Sequence, residues 1–420
     1  MSKRLEEIYR QESSKILAAL IRIFGVENVD LAEDTLHEAF GKALTHWQEN
    51  GEPENPGAWL MLTAKNHAID VIRKHRHNVE FADDIAVLLD SEWTLSTTLD
   101  GAFSEQALQE DMLNMIFWCC HPNIKIDNQL PIILKALCGF SLPAISNALF
   151  LPEETVKKRL QRTKQQLKQY PLKRPDEAHM AESLSSVHLA LYLLFNEGLY
   201  CSDEKKLINI DFCKEAMSLL ARLIAAPQVA SRETLALYAL MHFHMARLES
   251  RVDKDGLPVP LDLQNRECWD RTQIQQGLQW LAFARTNVQD EDIRSRFMLE
   301  AMIASEHCKA ALFDDTNWRE IERLYDALYE VTASPVSLLN QAVANAYLND
   351  MTKAVALVHE VNDEKRLSES HLPDATLAHI YAKCGDETAA NAHAKASMAK
   401  GGTQQEQQLM LSQIERLLRG

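Results

Sequence analysis

Between Gly139 and Gln169 the chain reads GFSLPAISNALFLPEETVKKRLQRTKQQLKQ, a stretch that leaves little choice of local structure. Through Leu142–Phe150 the apolar residues Leu142, Ile145, Ala148 and Leu149 recur at helical spacing. Pro152 then stands where a second helix can begin, because its missing N–H is one of the donors a helix start leaves unpaired anyway. Glu153 and Glu154 follow in the first turn, at the positive end of the helix dipole. Val156, Leu160, Thr163 and Leu167 form a stripe about 40° wide at 100° per residue, which must face a core. Lys158, Gln161, Arg162, Gln165 and Lys168 lie opposite, flanked by Lys157 and Lys164. A packed back and a face of long donors are what a helix needs to enter a DNA major groove. A merely solvated helix shares this pattern, so charge decides between the two. From Glu153 to Arg174 there are 8 Lys/Arg against 2 Asp/Glu, in a chain whose formal net charge is −16. Such a local reversal suits a polyanion partner.

The rest of the chain is predicted all-α. It has 420 residues, enough for about two to four domains. Only 13 Gly, with abundant Ala, Leu, Glu, Gln and Lys, favour helix, and no long alternation of β-branched residues argues for a sheet. Acidity is uneven: residues 1–174 carry a net charge of −4 and residues 175–420 a net of −12, so the C-terminal part is not expected to bind nucleic acid. The N-terminus lacks an apolar core of signal-peptide length, and no segment approaches the roughly 20 apolar residues of a membrane span. The eight cysteines contain no CxxC pair, and Cys119-Cys120-His121 is their one cluster. They read as reduced, mostly buried thiols of a cytoplasmic protein, with no metal and no cofactor.

Four blocks emerge. In the first, residues 1–78, Ile8, Ile16, Leu17, Leu20, Ile21 and Phe24 mark one amphipathic helix. Asp30 is the expected cap of a second, with Leu36, Ala39, Phe40, Ala43 and Leu44 inward. After the loop QENGEPENPG, a third is expected to bury Trp59, Leu60, Leu62, Ile69 and Ile72 and to end in Arg73, Lys74 and Arg76. Residues 79–105 hold seven acids and no Lys or Arg, and read as a flexible acidic linker. Residues 106–172 contain the helix-turn-helix. Residues 173–420 form a larger helical extension that ends in ATLAHIYAKCGDETAANAHAKAS. There Gly385 is the expected turn of a hairpin, packed through Leu377, Ala378, Ile380, Tyr381, Ala389, Ala390 and Ala394, as in tetratricopeptide-type repeats.

DLAEDTLHEAFGKAL followed by NPGAWLMLTAKNHAIDVIRKH resembles region 2 of sigma-70-type bacterial sigma factors of the extracytoplasmic-function group. EDMLNMIFWCCHPNIKIDNQLPIILKALCGFSLPAISNALFLPEETVKKRLQRTKQQL resembles their region 4. YLLFNEGLY, PLDLQNRECWD, WREIERLYDALYEVTASPVSLLNQAVANAY and the terminal hairpin resemble the extension of a subgroup with a tetratricopeptide-like C-terminal domain.

The resemblance implies a non-enzymatic promoter-specificity subunit whose partners are core RNA polymerase, at its clamp helices and flap, and promoter DNA, with a further regulatory partner for the extension. Asp34, His37, Glu38 and Lys42 would dock on the clamp helices. The Gln48–Gly57 loop would help to capture a flipped −10 base, with Trp59, Lys65, Asn66, Arg73, Lys74 and Arg76 on −10 DNA. Lys157, Lys158, Gln161, Arg162, Gln165 and Lys168 would contact the −35 element. The chain departs from the family's pattern at His37, Ala144, Asn265 and Gln341, where many relatives have Gln, Glu, Asp and Arg. The alternative is a dimeric helix-turn-helix regulator with a helical sensor domain, which would need neither the loop at 48–57 nor the acidic linker. An enzyme built on His188 and Glu197 lacks any nucleophile, phosphate loop or metal constellation to support it.

Overall fold

The computed structural model describes residues 3–75, 99, 101–149, 151–199, 210–253, 259–286, 294–362, 370–402 and 404–419. Among these, eighteen α-helices account for the regular structure, and no β-strand forms. Arg76 and all but a few residues of the 79–105 acidic linker lie outside the described residues. The chain divides into two compact units, Met1–Val229 and Ala230–Gly420.

The first unit opens with α1 (Lys3–Phe24), α2 (Val29–Asn50) and α3 (Pro56–His75). Helix α1 packs against both others and buries Ile8, Ile16, Leu17, Leu20, Ile21 and Phe24, the stripe its periodicity predicts. Two expected core residues are instead on the surface: Leu44 is 38% exposed and Leu62 is 54% exposed. Each stands one position from the buried face of its helix, next to the fully buried Ala43 and the half-buried Thr63. Nor does Asp30 cap α2. The cap position is Asn28, whose amide donates back to the Phe24 carbonyl at 2.7 Å. Asp30 falls in the first helical turn, where its carboxylate lies 3.4 Å from Lys168.

Next come α4 (Glu105–Cys119), α5 (Ile126–Ile132), α6 (Leu142–Ala148) and α7 (Glu153–Leu167). The Ser104 hydroxyl caps α4 by accepting from the Ala107 amide. Pro131 has no N–H to give the helical ladder, and just beyond it α5 widens into a π-helical turn over Ile133–Leu137. Helix α4 packs along α1, and there Arg22 Nε donates to the Asp111 carboxylate at 2.8 Å. Asp111 is 2% exposed. Burial raises its carboxyl, and the hydrogen bond and charge of Arg22 hold it back.

Helices α8 (Glu177–Leu199) and α9 (Ile210–Ile224) also belong to this unit. Gln129 of α5 donates to the Ser186 hydroxyl of α8 at 3.2 Å, and Phe140 meets Phe212 of α9 edge to face at 4.8 Å. Helices α8 and α9 are thus packed with the helices before them.

The second unit runs through α10 (Arg232–Ala246), α11 (Arg271–Arg285), α12 (Arg296–Lys309), α13 (Trp318–Thr332), α14 (Pro335–Tyr347), α15 (Met351–Asn362), α16 (Leu372–Lys383), α17 (Glu387–Lys400) and α18 (Gln404–Arg419). From α12 onward each helix packs on its successor in chain order. Gly385, at φ +82°, turns α16 into α17, and Leu377, Ala378, Ile380, Ala390 and Ala394 are buried across the pair. Arg266 ties the α12–α13 connection by donating to the carbonyls of His307 and Ala310. In this unit Asn265 accepts from the Glu267 amide, and Gln341 donates to Glu322 at 2.9 Å and Asp326 at 3.2 Å. A neutral amide there serves two carboxylates, with Lys353 supplying the countercharge 2.8 Å from Glu322.

Gly277 of α11 is the tightest helix approach in this unit. A Cβ there would stand 2.7 Å from the Phe243 ring, which is itself 1% exposed and has nowhere to retreat. Gly277→Ala should therefore destabilise the second unit by about 1–3 kcal/mol. Its calorimetric transition should fall by several degrees, and an unchanged midpoint would refute the close contact.

Candidate nucleic-acid interface

Helix α7 is held from one side only. Val156, Leu160, Thr163 and Leu167 are all buried, as their spacing predicts. Thr163 Oγ1 satisfies itself on the Arg159 carbonyl at 2.7 Å, so a hydroxyl can sit in that stripe. Trp118 anchors the far end. Its indole N–H donates to the carbonyls of Leu167 and Tyr170, each at 3.1 Å, and the Leu167 carbonyl also accepts from the Tyr170 amide at 3.0 Å. Tyr170 then stacks on His121 with ring centroids 3.7 Å apart. In α6, Ser141 caps the first turn, and the Ser146 hydroxyl donates to Leu151 at 2.5 Å across the turn that leads to α7.

The opposite face of α7 is open. Lys157, Lys158, Gln161, Arg162 and Gln165 are exposed. Lys158 makes only a loose pair with Glu154 one turn earlier, 3.7 Å away. Lys168, predicted with them, is half-buried and reaches Asp30 of α2 at 3.4 Å. Lys164, placed on the flank by its spacing, stands 2.5 Å from Glu33 and 3.8 Å from Asp30. Asp30 and Glu33 are one turn apart on α2, and Lys164 and Lys168 one turn apart on α7, so the two pairs match in spacing. Sequence reasoning missed both acids. The i, i+3 and i, i+4 spacings were visible, but nothing local says that residues more than 130 positions apart should meet.

Between α2 and α3 lies an open groove of about 630 Å³. Trp59 and Asn66 line it from α3, and Glu38, Lys42 and His46 from α2. Trp59 is set edge to face against Trp47 at 5.5 Å, with His46 at 5.3 Å, so its ring is braced at the groove wall. The loop before α3 is shaped by Gly51, at φ +83°, and by Asn55, whose side chain accepts from the Ala58 amide. Lys65 is half-buried, whereas Arg73 and Lys74 are exposed at the end of α3, with Arg73 3.9 Å from Asp70. Asp34 and His37 also face outward from α2 but do not line this groove. The His37 Nε2 approaches the Tyr9 hydroxyl at 3.5 Å. Partial burial lowers the pKa of His37, and the nearby charge of Lys135 lowers it further. The predicted polymerase-facing and DNA-facing residues thus meet in one groove only at Glu38, Lys42, Trp59 and Asn66.

Five of the seven described free cysteines, including Cys119 and Cys120, are buried, and burial raises the thiols of both. Among the described residues no group of three or more His, Cys, Asp or Glu is placed to hold a metal ion, and no helix is long and apolar enough to cross a membrane.

Two family descriptions match the chain: sigma-70 region 2 over residues 8–78, and a family of unknown function (DUF6596) over residues 183–285. The uncharacterized protein R00370 of Rhizobium meliloti (strain 1021) is 31% identical over 355 residues, which covers 83% of this chain and 80% of that protein. The ECF RNA polymerase sigma factor SigM of Bacillus subtilis (strain 168) is 31% identical over 81 residues, covering 19% of this chain and 48% of SigM. No solved structure matches the chain.

The Trp118 indole offers a direct check on how α7 is seated. Trp118→Phe keeps an aromatic ring but removes the donor shared by the Leu167 and Tyr170 carbonyls, which should cost about 1–2 kcal/mol in unfolding of the first unit. Hydrogen exchange at the C-terminal turn of α7 should accelerate along with it. Unaltered exchange there would rule out Trp118 as the anchor.

Proposed function

The chain belongs to one family with R00370 and, through its region 2, to the sigma-70 family, and we propose that it is a sigma factor that binds core RNA polymerase and directs promoter-specific initiation. The observation that carries this reading is the combination, within one compact unit, of region 2 and a second helical element whose donor face is held from behind. Helices α1 to α3 supply the −10 part. Trp59 and Asn66 in the groove, with Lys65, Arg73, Lys74 and Arg76 along and beyond α3, engage the opened strand and its phosphates. Asp34, His37, Glu38 and Lys42 dock on the polymerase clamp helices. Helices α4 to α7 act as region 4, a helix-turn-helix in which Lys157, Lys158, Gln161, Arg162, Gln165 and Lys168 meet the −35 element. The acidic segment 79–105 links the two. No step of chemistry belongs to the chain itself; the bond-forming centre is the polymerase's.

The exposed, unclasped Arg162 is the residue best placed to read a base edge. Arg162→Ala should weaken binding of the polymerase complex to its preferred promoters by about 1–3 kcal/mol, measured against the same promoters with a scrambled −35 element. Equal loss on both would make Arg162 a phosphate contact and remove it from the reading set.

The helices beyond Val229, which we read as the tetratricopeptide-like extension, are proposed to regulate the sigma activity of the first unit. Because α8 and α9 pack into the first unit, the informative truncation falls after Val229 and not after Leu172. Run-off transcription by core polymerase with residues 1–229 should differ severalfold from that with the full chain. Identical output would refute the regulatory role while leaving the sigma activity intact.

A further inference from the structure

Helix α18 takes its place in the second unit without filling it. Among its described side chains only Ile414 is buried, whereas every other helix of the unit buries three or more. Ile414 rests on Ala378 and Ala382 of α16 and on Ala390 and Ala394 of α17, with Met410, Leu417 and Leu418 partly buried around it. Small side chains on the receiving helices let another helix come close, so this seat is shaped for the apolar face of an amphipathic one. A groove of about 270 Å³ nevertheless stays open between α18, α14 and α16. Val343, Leu372, Ala375, Leu409 and Met410 line it, and Gln413 sets a polar amide among them.

The charges show the same incomplete fit. Arg416 of α18 pairs with Asp262, 154 positions earlier, whose side chain is only 10% exposed. Tyr347 of α14 and His379 of α16 lie close enough to feel both charges. The Arg416 Nε is buried with no hydrogen-bond partner among the described residues, so one edge of the guanidinium goes unused. Gly401 and Gly402, at φ +141° and +90°, join α17 to α18.

We propose that the seat beneath α18 is a docking site for a basic amphipathic helix of another protein, and that α18 is its placeholder. The seat dictates the chemistry of that helix. Its apolar face must meet the four alanines, and an apolar residue in the place of Gln413 fills the groove that α18 leaves open. A carboxylate as sheltered as Asp262 is costly to strand, so the incoming helix carries an arginine or lysine two positions after its central apolar residue, as Arg416 follows Ile414. Its tether gives α18 a high effective concentration, which holds an imperfect occupant in place until a better one arrives. The seat lies wholly within the second unit, so this inference does not rest on the sigma reading.

The probe is a fluorescein-labelled peptide of residues 403–420, which carries the face the seat already accepts. A full chain with Ile414→Glu cannot seat its own α18 and should bind the peptide at least tenfold more tightly than the native chain does. Gln413→Leu in the peptide should tighten binding to that chain about threefold or more, and Arg416→Glu in the peptide should weaken it at least tenfold. Equal affinity for the native and Ile414→Glu chains would put the peptide elsewhere and overturn the proposal. Indifference to both peptide changes would overturn it as well. Hydrogen exchange on the native full chain supplies an arm that needs no variant of the protein. Saturating Gln413→Leu peptide should speed exchange of the chain's own α18 amides at least fivefold while those of α16 and α17 hold steady. Exchange of α18 that the peptide leaves unchanged would make α18 a fixed part of the fold and refute the placeholder. A native chain that sediments as a dimer, and as a monomer with Ile414→Glu, would identify the occupant as a second copy and overturn its assignment to another protein.

Discussion

A helix whose long donors stay exposed can be anchored only through its other side, and that one-sidedness organises the seating of α7 in the first unit. Four side chains, Val156, Leu160, Thr163 and Leu167, form the apolar attachment of α7, joined by the Trp118 indole at its end and by Lys164 and Lys168 reaching carboxylates of α2 on its flank. The exposed donor face is left uncovered by all of them. The anchor must therefore be rigid. Trp118 is 2% exposed, and α4, which bears it, is pinned to α1 by a carboxylate that has almost no access to water. Breaking a buried pair of that kind by removing one partner is costly, because the other charge is left stranded. The position of the donor face is consequently tied to the α1–α4 packing far behind it.

The same logic explains why the ionic contacts divide into two kinds. Arg22 with Asp111 lies in the packed interior, where it fixes how two helices meet. Lys168 with Asp30 lies at the rim, where Asp30 is 72% exposed, whereas Lys164 and Glu33 are each only 17% exposed. Rim pairs are weak and exchangeable. Geometry, not pair count, distinguishes scaffolding from exchangeable charge here.

Much of this was legible in sequence because helical periodicity is a local property. The stripe of α7, the apolar face of α1 and the Gly385 hairpin each follow from residues within a few turns of one another. What was illegible depends on neighbours distant in the chain. Leu44 and Leu62 fit their helices' apolar patterns but lie just past the edge of the contact between helices, so water reaches them. Asp30 has the right chemistry for a cap, yet Asn28 starts the helix and Asp30 serves α7 instead. The widening of the helix after Pro131, and the attachment of α8 and α9 to the first unit, likewise depend on what they pack against.

The surroundings of Gln341 show how neighbouring helices share the service of two carboxylates. Its neutral amide donates to Glu322 and Asp326, and positive charge is supplied by Lys353 from the next helix. Burial would raise the Glu322 carboxyl, but the hydrogen bonds of Lys353 and Gln341 together hold it below its ordinary value, so it stays ionised. An arginine at 341 would bring both charge and fork geometry on one side chain; here the two functions are divided between α14 and α15. The return to Gly385–Asp386 further along, where Asp386 caps α17, shows the same economy: short-range hydrogen bonds settle each turn, and the long-range packing of α14 to α18 is left to alanines and leucines.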